Sequence, residues 1–393
     1  MRGERTLFFN VMKVLYLIDT LAIGGAERSL LDITRRFTRV QPVTAHLYPA
    51  KDLKPSFESA GIPVISLDIT QQYGLLEGIR RFKNVVEREN PDLIHATLFR
   101  SEVVARLVAA WTGVPLVGSF VNDSYAASRW EGLSAVQKVK LGLVQVIDAC
   151  TARLCPHFIA ISEAIKRANA GALRLPEERI HVIHRGRDPA DFTNVPDEQV
   201  DAARKALEVP VDCRIVLNVA RLIHRKGQEE LIEGFVQVVN EYPNAHLLIA
   251  GEGHHRPVLE ELTDYLGIGD HVHLLGTRDD VPALLQLADV FVFPSHYEGH
   301  GGALVEAMFA GCPIVASDTA VHRESVTDGE TARLVPLKDP DGLAENIQWM
   351  LGHPEKAHQY GHRAQQTAME RFHIDQIAEQ HEAFYQDVLE KEV

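Results

Sequence analysis

Four short segments of this 393-residue chain combine glycines with charged side chains at spacings that suit a phosphorylated, polyhydroxylated ligand. ARLIHRKG places Arg221 and Lys226 in one loop after the apolar run RIVLNV. Two neighbouring cations repel unless an anion lies between them, and a diphosphate would supply charge-assisted bonds worth roughly 1.5–3 kcal/mol each. A solvated basic loop is the bland alternative. FPSHYEGHGGALVEAMFAG carries Glu298, Gly301, Gly302, Ala303 and Glu306. Its glycines would leave the first amides of a helix open to phosphate, and its two acids suit adjacent hydroxyls, Glu306 those of a ribose and Glu298 those of a sugar. Exposed glutamates in a turn and on a helix are the plain reading. LAIGGAERSLL, with Gly24 and Gly25, permits a tight turn whose helix amides face an anion, although an ordinary strand-to-helix turn looks the same. In HLLGTRDDVPALL the main chain at Thr277 and Arg278 could read a nucleobase edge, and again a simple connection explains the residues nearly as well.

These segments need a scaffold that presents loop ends. Short apolar, β-branched runs alternate with amphipathic stretches along the whole chain, the pattern of parallel sheets with crossover helices. In the first half the expected strands are 14–19, 43–48, 63–68, 92–96, 115–120, 158–161 and 180–183, with helices over 26–37 and 75–89. In the second half they are 214–219, 245–250, 271–275, 289–293, 313–316 and 332–335. The polar stretch RGRDPADFTNVPDEQ, residues 185–199, breaks both periodicities and is read as a linker. The expectation is α/β: two Rossmann-like doubly wound domains, 1–190 and 191–373, facing a central cleft, followed by a helical tail. In such sheets ligands bind beyond the carboxyl ends of the strands, where all four segments fall.

Composition narrows the class. The chain is 46% hydrophobic and 24% charged, which excludes long disorder and leaves room for two cores. Residues 1–190 carry 25 Lys and Arg against 19 Asp and Glu, whereas residues 191–393 carry 15 against 35. The acidic total argues against nucleic acid as a partner, and the basic first half against an acidic second half is either chance or a sign of an anionic partner. Cys150, Cys155, Cys213 and Cys312 have neither zinc-site nor disulfide-framework spacing and suit a reducing cytosol. The pairs His254–His255 and His271–His273 are read as packing, so no metal ligand set is assigned. The apolar run at 7–18 is too short for a bilayer span, contains Lys13 and reads as a first strand. Residues 128–155 mix Trp130 and aliphatics with Lys138, Lys140 and Arg153, which suits either buried helices or a peripheral helix on an anionic membrane.

In order, IGGAER, ARLIHRKG and YEGHGGALVEAMFAG resemble the retaining glycosyltransferases of family four, also called glycosyltransferase group 1, from about Met12 to the end of the chain. The resemblance implies the GT-B fold and a tail helix, about 374–393, that returns to the first domain. It implies that Gly24, Gly25, Arg221 and Lys226 hold the diphosphate of a UDP-, GDP- or ADP-sugar. By the same likeness Glu306 binds the ribose, Glu298 contacts the transferred hexose, and no cofactor or metal is required. The expected acceptor is a glycan or lipid-linked glycoconjugate, and the expected location is cytoplasmic, with peripheral contact at the inner face of the membrane through residues 128–155 as the open alternative to burial of those helices. Val121, Asn122 and Asp123 stand where many members have a histidine, so Asn122 and Asp123 become the acceptor-side candidates. His300 replaces a common aromatic and Ala332 a usual glycine. Two rival readings are a sugar-nucleotide epimerase and a noncatalytic sugar-nucleotide-binding subunit.

Overall fold

The computed structural model describes residues 11–70, 74–130 and 132–392. Part of the apolar N-terminal run, residues 7–10, lies outside them. The chain divides into two compact units, Met1–Gly186 with Ile374–Val393, and Arg187–His373.

The first unit is built on seven strands: β1 (Met12–Ile18), β2 (Val40–His46), β3 (Val64–Ser66), β4 (Leu93–Thr97), β5 (Leu116–Phe120), β6 (His157–Ala160) and β7 (Ile180–Val182). They form one parallel sheet in the order β3-β2-β1-β4-β5-β6-β7. Both faces are covered, so strands read as apolar throughout while alternate residues enter different cores. On β1, Leu15 and Leu17 pack with Phe82 and Val104, whereas Val14 and Tyr16 pack with Ile377, Tyr385 and Val388 of the tail helix Ile374–Glu392. Glu382, 1% exposed, fixes that helix: its Oε1 accepts from the amides of Thr38 at 2.7 Å, Arg39 at 2.5 Å and Val40 at 3.2 Å.

The second unit holds β8 (Arg214–Val219), β9 (Ala245–Ala250), β10 (Val272–Gly276), β11 (Val290–Phe293), β12 (Ile314–Ser317) and β13 (Arg333–Val335). These are parallel in the order β10-β9-β8-β11-β12-β13. Ile215 and Leu217 enter one core with Phe291, and Val216 enters the other with Val292. Both sheets are therefore doubly wound, and the strand order reverses at β1/β4 and at β8/β11. There, crossovers leave toward opposite faces and open a crevice at the carboxyl ends.

Every expected strand is present, with ends shifted by a few residues. The boundary between the units, at Gly186 and Arg187, falls inside the 185–199 stretch read as a linker, and the stretch holds more regular structure than its broken periodicity suggests. Helices Ala190–Thr193 and Asp197–Ala206 occupy much of it, with Pro189 and Pro196 at their N-caps and acids in their first turns. Proline and aspartate resemble turn signals in sequence, but they also suit the first positions of a helix. The helix expected over 26–37 runs from Gly25 to Thr34. Among the described residues, no helix is long and apolar enough to cross a membrane.

Candidate functional site

The β8/β11 reversal brings together two of the four segments. Asn218, buried near the end of β8, donates from Nδ2 to the Val292 carbonyl of β11 at 2.9 Å. Gln228 Nε2 reaches back to Asn218 Oδ1 at 3.4 Å and to the Arg221 carbonyl at 3.2 Å, so the loop after β8 is tied to both strands. His296, after β11, donates its amide to the Arg225 carbonyl at 2.9 Å. Gly227 makes this crossing possible. Its φ is +69°, and a Cβ there would lie 2.1 Å from the Pro294 carbonyl oxygen.

Across this seam the Lys226 ammonium ion-pairs with Glu298, with both side chains largely buried. Lys226 Nζ also lies 5.7 Å above the Phe293 ring. Arg221 is exposed and engages no other side chain among the described residues. His322 completes the wall. It is fully buried, its ring centroid is 5.2 Å from that of Phe293, and its Nδ1 lies 2.7 Å from the Ser317 carbonyl. That carbonyl can only accept, so the proton sits on Nδ1 and Nε2 is left as an acceptor without a partner among the described residues. Burial holds the His322 imidazole below its ordinary pKa, in keeping with a neutral ring.

The helix Gly302–Phe309 starts at Gly301 with no side-chain cap, leaving its first amides open. Arg187 Nη2 lies 2.7 Å from where a Gly302 Cβ would stand, and Arg187 Nε donates to Glu306 Oε1 at 2.8 Å. A guanidinium against the positive end of a helix is unfavourable without a counter-anion, which Glu306 supplies here. The same place, with Arg187 and open amides converging, suits a phosphate oxygen.

The remaining candidates are placed differently. Arg278 makes a two-pronged pair with its neighbour Asp280, at 2.8 and 2.5 Å, so its guanidinium is engaged within its own turn, and Thr277 is exposed. In the first unit Gly24 is the N-cap of the helix Gly25–Thr34, and Gly25 is exposed. The carboxylate of Glu27 curls back onto its own amide, and a Cβ on Gly24 would meet its Oε2 at 2.3 Å. Burial raises the Glu27 pKa, which eases protonation if an anion approaches that helix end. Asn122 and Asp123 organise the turn after β5: Asn122 Oδ1 accepts from Ser124 Oγ at 2.7 Å and Asp123 Oδ1 from the Tyr125 amide at 3.2 Å. A cavity of about 50 Å³ at the carboxyl ends of this sheet is lined by His95, Ser119, His184, Arg185 and Tyr385. That volume has room for a few waters and is too small for a sugar ring.

His300 is buried with its ring 5.2 Å from Phe372, a packing role, and Ala332 is buried in the second core. Arg187, Asn218, Gln228 and His322 were not singled out in the sequence. An asparagine inside the otherwise apolar RIVLNV was the one local signal available; Gln228 directly follows the Lys226 loop, and Arg187 and His322 are brought in by the chain's return.

Residues 199–367, within the second unit, match the family model described as Glycosyl transferases group 1, and residues 23–191 match that of Glycosyltransferase Family 4. The two matched stretches follow one another along the chain, and both are likenesses to glycosyltransferase families of the group 1 and family 4 kind. Its relatives include an uncharacterized glycosyltransferase of Methanocaldococcus jannaschii, 31% identical over 237 residues that span 60% of each chain. A D-inositol 3-phosphate glycosyltransferase of Thermobispora bispora is 27% identical over 366 residues, 87% of this chain and 82% of the relative. Among solved structures, Anabaena HepE in complex with UDP-glucose has a TM-score of 0.83 at 25% identity, covering 97% of this chain and 100% of HepE. The fold is GT-B, as in these neighbours.

Proposed function

We propose that this glycosyltransferase is a retaining enzyme that moves a hexose-type sugar from a nucleotide-diphosphate donor to an acceptor hydroxyl in glycoconjugate synthesis. The observation that carries the reading is the Lys226–Glu298 pair at the β8/β11 reversal, beside the open helix end at Gly301. In the free protein two of the cations are matched by carboxylates, Lys226 by Glu298 and Arg187 by Glu306. An arriving diphosphate takes over the cations. That exchange frees Glu298 for the sugar hydroxyls and Glu306 for the ribose, so the same event neutralises the phosphates and orients the ring. Arg221 adds a third cation, Gly301, Gly302 and Ala303 offer main-chain amides, and Thr277 with Arg278 offers main-chain groups to the base. Gly24 and Gly25 are assigned a further phosphate contact.

In the transfer the bond from the anomeric carbon to the diphosphate oxygen breaks with its electron pair going to the phosphate. The acceptor oxygen bonds to that carbon from the same face, and its proton passes to the departing diphosphate. The protein positions the reactants and stabilises the leaving charge through Lys226, Arg221 and the helix end, so no metal and no protein nucleophile is needed.

The acceptor is assigned as a glycan or lipid-linked glycoconjugate, with Asn122 and Asp123 on its side. The helix Ala135–Ala152 favours the lipid-linked form. Its buried face is fixed by Asp148, which accepts from Arg106 at 2.6 Å and from Tyr125 at 2.7 Å. Its other face exposes Val136 at 64%, Val139 at 63%, Leu143 at 58% and Val146 at 59%, with Lys138 and Lys140 alongside. Asp148 is the sole acid between residues 132 and 155. An apolar stripe edged by lysines suits an anionic bilayer. Phosphatidylglycerol vesicles should co-sediment the protein and phosphatidylcholine vesicles should not. Equal behaviour on both removes the assignment.

The donor is tested by thermal shift with UDP-, GDP- and ADP-sugars. A ligand at 100 times its dissociation constant stabilises by about 2.7 kcal/mol, so one nucleotide should stand out. A flat response to all three refutes the reading.

A further inference from the structure

Beside the donor loop lies a side-chain cluster that the transfer reading does not use. His224 Nδ1 and His255 Nε2 each lie 2.7 Å from the same oxygen, Glu229 Oε1. The three donor atoms all fall within 4.8 Å of one another. They come from three places in the fold: His224 from the turn before Lys226, Glu229 from the first turn of the helix Gln228–Glu241, and His255 from the loop after β9. We propose that His224, Glu229 and His255 bind one divalent transition-metal ion of the zinc class, which staples the Lys226 loop to the loop after β9.

The backbone already holds the donors in place. Leu222 donates its amide to the Glu252 carbonyl at 3.0 Å, and His255 donates to the Leu222 carbonyl at 3.1 Å. Gly253 allows that approach, since a Cβ there would stand 2.1 Å from the Leu222 oxygen. Two imidazoles and a carboxylate match the ligand set of an open tetrahedral site, with water in the fourth position. Metal bonds near 2.0–2.2 Å place ligands roughly 3.3 Å apart in that geometry, close to the spacing seen, so modest side-chain rotations admit the ion.

The local charge also permits it. Nearby Lys226 is paired with Glu298, and Arg225 is turned over the Tyr297 ring at 5.6 Å. Glu230, next in the helix, lies 2.9 Å from His296, whose ring is 6.0 Å from that of His224. His224 is 67% exposed in its side chain and gives the ion a path from solvent, while His255 at 14% is the inner ligand. The site rests on its own residues and is independent of the donor assignment.

The test uses untagged full-length protein stripped with EDTA and titrated with zinc by calorimetry and with cobalt by visible absorption. One equivalent should bind with a dissociation constant of about 10 µM or tighter, and cobalt should give the intense absorption of a four-coordinate site. Zinc should also raise Tm. His224→Ala, at an exposed position, and Glu229→Gln should each weaken binding by at least about tenfold and cancel the Tm rise. A second histidine cluster, with His246 Nδ1 3.0 Å from His273 Nε2, provides the control, and His246→Ala/His273→Ala should leave the stoichiometry unchanged. The proposal is overturned by the absence of stoichiometric binding, by its survival in His224→Ala, or by its loss in the control variant alone. Vesicle and nucleotide binding play no part in these readouts, so failure here leaves the donor reading standing.

Discussion

Replacing Gly227 by alanine should disable the proposed donor site while sparing the fold. Alanine at φ +69° carries a conformational cost of about 1–2 kcal/mol. The larger effect is steric, because the new Cβ would lie 2.1 Å from the Pro294 carbonyl oxygen. Carbon and carbonyl oxygen sit no closer than roughly 3.3 Å even in weak hydrogen bonds, so the two segments must part by about 1 Å. Both partners are backbone, and the adjoining residue on one side is Lys226. A misplacement of about 1 Å in a group that orients reactants costs on the order of 100-fold in rate. Gly227→Ala should therefore lower kcat/KM for transfer by about 100-fold. Gly267→Ala supplies the control: its φ is +68° with nothing within 4 Å of the added carbon, so it bears the conformational cost alone. The assay is initial-rate nucleotide release with the donor selected by thermal shift, alongside a melt of each variant. If Gly227→Ala folds and keeps activity within threefold of Gly267→Ala, the argument that this crossing sets the Lys226 geometry is refuted.

Three further outcomes are expected. Glu298→Gln should cut turnover by about 100-fold while nucleotide affinity stays near normal, since the charge it removes is the one proposed to hold the sugar hydroxyls; unchanged turnover would favour a noncatalytic binding subunit. Glu382→Ala strands three backbone amides and should destabilise the first unit by about 3–5 kcal/mol in urea unfolding, with a loss below about 1 kcal/mol contradicting the anchoring role. Burial lowers the pKa of His381 to about 3 and that of His95 well below its ordinary value, so both stay neutral when folded and take up protons on unfolding. Their contribution is complete above about pH 6.5 and falls as pH drops toward 3, by about 1.4 kcal/mol per pH unit for each histidine. His381→Phe should flatten that slope between pH 6 and 4, measured by denaturant unfolding, and an unaltered slope would remove His381 from the account.

Local pattern was enough to define the thirteen strands and the two doubly wound sheets, because a strand buried on both faces must be apolar along its length whatever its neighbours are. The glycine and charge clusters at strand ends were legible for the same reason: Arg221, Lys226, Glu298 and Glu306 stand out as polar residues beside apolar runs. Tertiary structure alone decided which of them meet. Lys226 and Glu298 pair because β8 and β11 lie side by side although two other strands separate them in sequence. Arg187 looked like part of a linker until the chain's return set it against Glu306. His224 and His255 converge on Glu229 only once β8 and β9 align. Proline-bounded short helices were misread because their first residues share the chemistry of turns. Sequence thus determined what each segment is, through short-range sterics and hydrophobic period. Contacts between distant segments depend on strand order, which no local window contains.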